Sequence, residues 1–159
     1  MSDSAFSSQQ CVMFSSGEEK WGTPRWLFNE LNLEFRFTLD VCATKESAKC
    51  DRFFSPEQNG LDQQWEGMCW MNPPYGKGIA KWMRKAWEES QNGATIICLV
   101  PARTDTAWFH DWVLGKAEIR FLRGRLEFAG FGGTGASRGA APFASMLAIF
   151  RPTATIQPA

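Results

Sequence analysis

What this chain has little of narrows its chemistry before any motif is read. Its 159 residues contain one His and one Tyr, against 13 Phe and eight Trp. A single imidazole and five Cys (Cys11, Cys42, Cys50, Cys69, Cys98) without a CxxC spacing supply no zinc ligand set, so no metal is expected. An odd number of cysteines at this length also argues against a disulfide framework and for a reduced, cytoplasmic setting. No apolar run reaches the ~18 residues that a membrane-spanning helix needs. The polar start has no apolar core of a signal peptide, so neither membrane nor export is expected. Charge of one sign is lacking too: 17 basic and 17 acidic side chains cancel. That excludes a purely electrostatic, histone-like binder of nucleic acid and leaves room for a local basic patch. No internal repeat is visible.

What is present describes one ordinary globular domain, 44% apolar and 21% charged. Residues 1–20 carry six Ser without periodicity and read as a loosely ordered arm, residues 21–152 as the folded domain, and 153–159 as a tail. Thr23-Pro24 pairs an N-cap residue with a proline at the first helical position, opening a helix through Trp26, Leu27 and Leu31. Residues 35–41 alternate as a strand; a short helix near 45–49 and a strand at 52–54 follow. Met68-Cys-Trp-Met71 is a buried strand. Ile79, Trp82, Met83, Ala86 and Trp87 then mark an amphipathic helix that Asn92-Gly93 stops. Residues 94–100 read as a strand covered on both faces. Trp108, Phe109, Trp112 and Val113 form a second helical stripe closed by Gly115. Residues 118–128 and 145–150 read as final strands around the Gly-rich stretch 129–141.

Alternating strands and helices imply an α/β fold with a mostly parallel sheet, the last strands forming an antiparallel hairpin at its C-terminal end. Open sheets of this kind bind ligands outside the carboxyl ends of their strands. Three segments fall there and should converge on one crevice: Asp40-Val-Cys-Ala43, Asn72–Gly76 and Pro101-Ala-Arg-Thr-Asp105.

Asn72-Pro73-Pro74-Tyr75 is the most specific of them. Two adjacent prolines arise by chance at about one position in 400. Asn72 and Pro73 each precede a proline and are pushed into extended geometry, and neither proline has an N–H to give a helix. The turn is therefore a rigid shelf offering the Asn72 side-chain oxygen and the Pro73 carbonyl. Two such acceptors suit a planar –NH2 group, and Tyr75 above them would stack on the ring that bears it. Hydrogen bonds to both protons localise the lone pair of a poorly nucleophilic purine amine. Positioning for in-line methyl transfer from a sulfonium donor supplies the rest, without a metal or covalent intermediate. A purely structural Pro-Pro turn is the competing reading.

Beyond this motif, an ordered series of residues resembles the phage-type, Dam-like DNA N6-adenine methyltransferases over most of residues 20–150. It comprises Trp21-Gly-Thr-Pro24, Leu39-Asp-Val-Cys-Ala43, Ala48-Lys-Cys50, Arg52-Phe-Phe54, Gly60-Leu61 with Trp65, and Trp70-Met-Asn-Pro-Pro-Tyr-Gly76. It continues through residues 99–106, Trp108-Phe-His110, Gly124-Arg-Leu126 and Ser145-Met-Leu147. The resemblance implies a Rossmann-like fold, S-adenosylmethionine as donor, and N6 of a flipped adenine in DNA as acceptor. The setting it implies is the cytoplasm of a bacterial host, with a phage or prophage gene. It makes Asn72, Pro73, Pro74 and Tyr75 the catalytic motif, and Thr23, Pro24, Asp40, Cys42, Ala43, Asn59 and Asn72 the donor-binding set, with Asp62 competing with Asn59. The Gly-x-Gly turn common in methyltransferases is absent, Asp-Val-Cys-Ala standing in its place. Tyr75, Lys77, Arg103, Arg123, Arg125 and Arg138 are the candidate DNA contacts, joined less specifically by Arg120. His110 reads as a surface hydrogen-bonding residue and the Trp stripes as core. An RNA or protein-glutamine methyltransferase and an inactive DNA-binding relative remain as alternatives, and monomer and homodimer are both open.

Overall fold

The computed structural model describes residues 22–129 and 137–153, with side chains throughout except at positions 129, 137 and 138. The expected N-terminal arm, Trp21, most of the Gly-rich stretch and residues 154–159 lie outside the described residues.

Helix α1 (Arg25–Phe35) buries Leu27, Phe28, Leu31 and Phe35, a stripe at helical spacing. It begins one residue later than Thr23-Pro24 suggested: Pro24 is the cap residue, extended at ψ 134°, and no side chain caps the helix. Thr23 is instead buried and used elsewhere, as shown below. Arg36 ends the helix in the left-handed region at φ 55°, its N–H bonded to the Asn32 carbonyl. Because Phe35 and Arg36 belong to this helix end, the strand expected over 35–41 shrinks to β1 (Leu39–Asp40).

Strands β1, β2 (Met68–Met71) and β3 (Thr95–Pro101) are parallel, with Leu39 opposite Cys69 and Met71 opposite Cys98. Helix α2 (Ile79–Gln91) makes the crossover between β2 and β3 and stops at Asn92, as the Asn-Gly pair indicated. Strand β4 (Glu118–Phe121) and strand β7 (Ser145–Phe150) complete a five-stranded sheet of order β1-β2-β3-β7-β4. β7 runs antiparallel to both its neighbours, β3 and β4. The sheet is thus mixed but mostly of one sense, the architecture expected. One segment splits where a single strand was expected: residues 118–128 give β4 and then β5 (Glu127–Ala129). The latter pairs with β6 (Ser137–Ala140) in a separate two-stranded sheet.

Two expected elements are absent for local reasons. Residues 45–49 form a turn, because the Thr44 and Ser47 side chains bond each other's backbone N–H and Asp40 takes the Lys49 N–H. Residues 52–54 contribute one bridge, Asp40 to Phe53, rather than a strand. The second helical stripe is a short π-helical segment (Phe109–Val113), still closed by Gly115 at φ 76°.

The core lies on both faces of the sheet. Trp70 packs against Phe28 and Phe37 on the α1 side, while its strand neighbour Cys69 takes the opposite face. Trp65, Trp70, Trp82 and Trp108 are buried and Trp87 and Trp112 half-buried, as core residues should be. Trp26, 57% exposed on α1, departs from that pattern.

Candidate active site

Because β1, β2 and β3 are parallel, their carboxyl ends open on one edge, and that edge gathers three of the motifs. Asn72 leaves β2 with its side chain held at both ends. Its Nδ2 donates to the Thr23 hydroxyl at 3.0 Å, and its Oδ1 accepts the Tyr75 hydroxyl at 3.0 Å. Both partners are hydroxyls, able to donate or accept, so the two bonds clamp the amide in position between Thr23 and Tyr75. The Tyr75 hydroxyl also lies 3.0 Å from the Leu99 carbonyl on β3. Asn72 and Pro74 are partly exposed, whereas Pro73 and Tyr75 are buried.

Tyr75, expected above this shelf as the stacking ring, is covered by neighbouring aromatics. Tyr75 is 6% exposed, its ring packed edge-on with Phe143, centroids 5.6 Å apart, and Phe128, 6.3 Å away. A hydroxyl with polar partners and apolar neighbours around the ring make this a stable packing. Burial also pushes the phenol well above its ordinary titration range, so Tyr75 is a neutral hydrogen-bonding group here.

At the end of β1, Asp40 is 2% exposed. Its Oδ1 accepts the Cys42 N–H at 3.3 Å and its Oδ2 the Lys49 N–H at 3.0 Å, so the carboxylate shapes the loop that carries Cys42 and Ala43. Burial raises its pKa to about 7, against the lowering effect of those two backbone donors and of the Lys49 charge. Asn59 and Asp62, the competing choices, are hydrogen-bonded to one another at 3.0 Å, and Asn59 Oδ1 also accepts the Leu61 N–H. Asn59 adopts φ 52°, a left-handed conformation that Asn tolerates better than most residues. Gly60 then presses its backbone against β1: a Cβ there would lie 2.1 Å from the Val41 carbonyl oxygen. Trp65 Nε1 secures the same turn through the Gly60 carbonyl at 2.8 Å. The Asn59–Asp62 turn is thereby held beside the end of β1.

The basic candidates divide. Arg103, on the loop after β3, is exposed and lies over the Phe143 ring at 5.8 Å, which links it to Tyr75 through one side chain. Lys77, just ahead of α2, is exposed, as are Arg123 and Arg125; Arg125 donates to the Ala141 carbonyl. Arg120 is taken up by a two-pronged pair with Glu34 and a further bond to Glu118, which explains it without a phosphate. The Arg138 side chain lies outside the described residues. His110 bonds the Thr104 carbonyl at 2.8 Å, the local surface contact expected of it.

Sequence reasoning passed over three features of this edge. Phe128 and Phe143 read as ordinary strand and loop residues because their partner, Tyr75, is distant in sequence. Ser145, opposite Pro101 at the start of β7, is 1% exposed, and its hydroxyl has no hydrogen-bond partner among the described residues. The role of Gly60 as a close-approach residue was equally hidden, although its position in the motif series was plain. Among the described residues, no group of three or more His, Cys, Asp or Glu is placed to hold a metal ion. No described helix is long and apolar enough to cross a membrane.

A family model described as DNA N-6-adenine-methyltransferase (Dam) matches residues 11–158. A protein of Haemophilus phage HP1 (strain HP1c1) named DNA N-6-adenine-methyltransferase is 32% identical over 143 residues, covering 87% of this chain and 82% of that protein. A protein of the same name from Escherichia phage T1 is 33% identical over 109 residues, 67% of this chain but 45% of the longer relative. The match runs through Thr23, Asp40, Gly60, the Asn72–Tyr75 motif and Ser145, and with it the chain belongs to the DNA N-6-adenine-methyltransferase (Dam) family.

Proposed function

We propose that this protein transfers a methyl group from S-adenosylmethionine to N6 of an adenine flipped out of DNA. The observation that carries the reading is the Asn72 amide, clamped between the Thr23 and Tyr75 hydroxyls on a Pro-Pro turn at the carboxyl end of β2. On this reading Asn72 Oδ1 and the Pro73 carbonyl accept the two amine protons, concentrating electron density on N6. Tyr75 supports the amide through its hydroxyl and the base through its ring. Extrusion of the base costs a few kcal/mol, which stacking of about 1–3 kcal/mol helps offset.

The residues at the end of β1 suit the proposed donor in shape and in chemistry. Gly60 leaves no Cβ in the turn that abuts Val41, the Asn59–Asp62 pair flanks it, and Asp40 and the Thr23–Asn72 pair supply polar groups at the ends of β1 and β2. Pro24, Cys42, Ala43 and Asn72 complete the proposed donor wall, and Asp40 acts by ordering the Cys42–Lys49 loop. Bound there, S-adenosylmethionine supplies an electrophilic methyl group on a sulfonium. Lys77, Arg103, Arg123, Arg125 and Arg138 are the proposed phosphate and base contacts. Three strands of one sense with the site at their carboxyl ends support a Rossmann-like arrangement. The phage relatives support action in the cytoplasm of a bacterial host.

The test is transfer of label from methyl-labelled S-adenosylmethionine to DNA, RNA and protein acceptors offered side by side. Label in DNA, as N6-methyladenine, supports the reading. Label confined to RNA or protein contradicts the acceptor.

A further inference from the structure

We propose that Phe143 occupies the seat of the target base, with Arg103 as the outer wall of that seat, and that a flipped adenine binds by displacing it. The inference rests on the function proposed above. A base whose amine reaches Asn72 Oδ1 lies close to the Tyr75 side chain, because that oxygen is 3.0 Å from the Tyr75 hydroxyl. Among the described residues the Tyr75 ring has two aromatic neighbours. Phe128 belongs to β5 and is 0% exposed, a fixed part of the wall. Phe143 is half-buried on the bend between β6 and β7, so it is the neighbour that can leave.

Its present surroundings are those a base would want. Among the described residues it is contacted by the Tyr75 ring at 5.6 Å, the Phe128 ring at 6.0 Å and the Arg103 guanidinium at 5.8 Å. Phe143 meets Tyr75 edge-on, at 78°, and fills the place without covering the Tyr75 face flat. A purine lying flat there gains a fuller stack, and Arg103 keeps a π-face to sit on. Phe143 is thus a stand-in ligand. While it holds the seat, only a fraction of molecules is competent to receive a base, and apparent affinity for DNA is lowered by that fraction.

The lone tyrosine makes this measurable: 3-fluorotyrosine labelling gives a protein with a single 19F resonance, at Tyr75. The probe is short DNA fragments grown without adenine methylation and shown to be methylated by the same sample. The expected result is that these fragments shift the resonance of the wild type. In free Phe143→Ala the resonance already lies away from the free wild-type position. The apparent KM for DNA falls by about threefold or more in that variant, with kcat little changed, and Phe143→Leu, which keeps most of the side chain's volume, falls between. A resonance that DNA leaves unmoved while methylation proceeds overturns the proposal and leaves the methyltransferase reading intact. So does a KM that rises in both variants. A sample that methylates none of the fragments overturns the reading on which the proposal rests.

Discussion

Asn72 is held by Thr23, 49 positions away, whose hydroxyl bonds one end of the amide and fixes the side chain's position. Replacing Asn72 with Ala removes the acceptor, and methyl transfer is expected to fall by a factor of about 100 or more, with the thermal midpoint little moved. Thr23→Val keeps the shape but loses the anchor. Its kcat is expected to drop about tenfold while stability falls by roughly 1 kcal/mol, a pairing that steady-state kinetics and denaturant unfolding together can check. Ser145 is the opposite case, a buried hydroxyl without a partner among the described residues. Ser145→Ala is expected to leave stability unchanged or raise it by up to about 1 kcal/mol. A loss of more than that in urea unfolding would mean that the hydroxyl does have a partner in the folded protein.

Among the elements, the loop after β1 carries the pH dependence. Unfolded, Asp40 ionises near its ordinary value of 3.8; folded, burial holds its pKa at about 7. Between those values the unfolded chain releases the proton first, so this residue's contribution makes stability fall as pH rises from about 4 to about 7 and levels off above. The full effect is at most about 4 kcal/mol. Asp40→Asn cannot titrate. Its stability relative to wild type is therefore expected to improve steadily across that window, read from urea midpoints at pH 5 and pH 8. Parallel profiles for the two proteins would rule the effect out. The neighbouring turn is fixed by close approach: a methyl group at Gly60 would collide with the Val41 carbonyl. Gly60→Ala is expected to cost about 1–3 kcal/mol and to weaken donor binding, which urea unfolding and titration calorimetry would separate.

Over the whole molecule, what the sequence revealed and what it hid have physical causes. Helix α2 and strand β3 were legible because their apolar patterns, stripe and continuous run, are made by burial itself. The edge that collects the motifs followed from parallel topology. The short elements were not legible: β1 is cut back by the left-handed Arg36, and the expected helix at 45–49 yields to an Asp40 bond nine residues long in sequence. Asn72 stood out through its two prolines, but its anchor Thr23 looked like a helix cap. The cover over Tyr75 was hidden, because nothing in the linear chain announces Phe128 and Phe143. Net charge of zero sharpens the expectation for DNA. On the proposed reading the grip comes from a few cations such as Lys77 and Arg103, so binding is expected to weaken steeply with salt.

The most direct test of the account is nucleoside mass spectrometry on plasmid DNA from a host without adenine methylation, expressing either the wild type or Asn72→Ala. The account predicts N6-methyladenine with the wild type and none above background with the variant, both proteins being present at equal level. Equal N6-methyladenine in the two samples would contradict the role given to the Asn72 amide, and none in either would contradict methylation of DNA adenine by this protein.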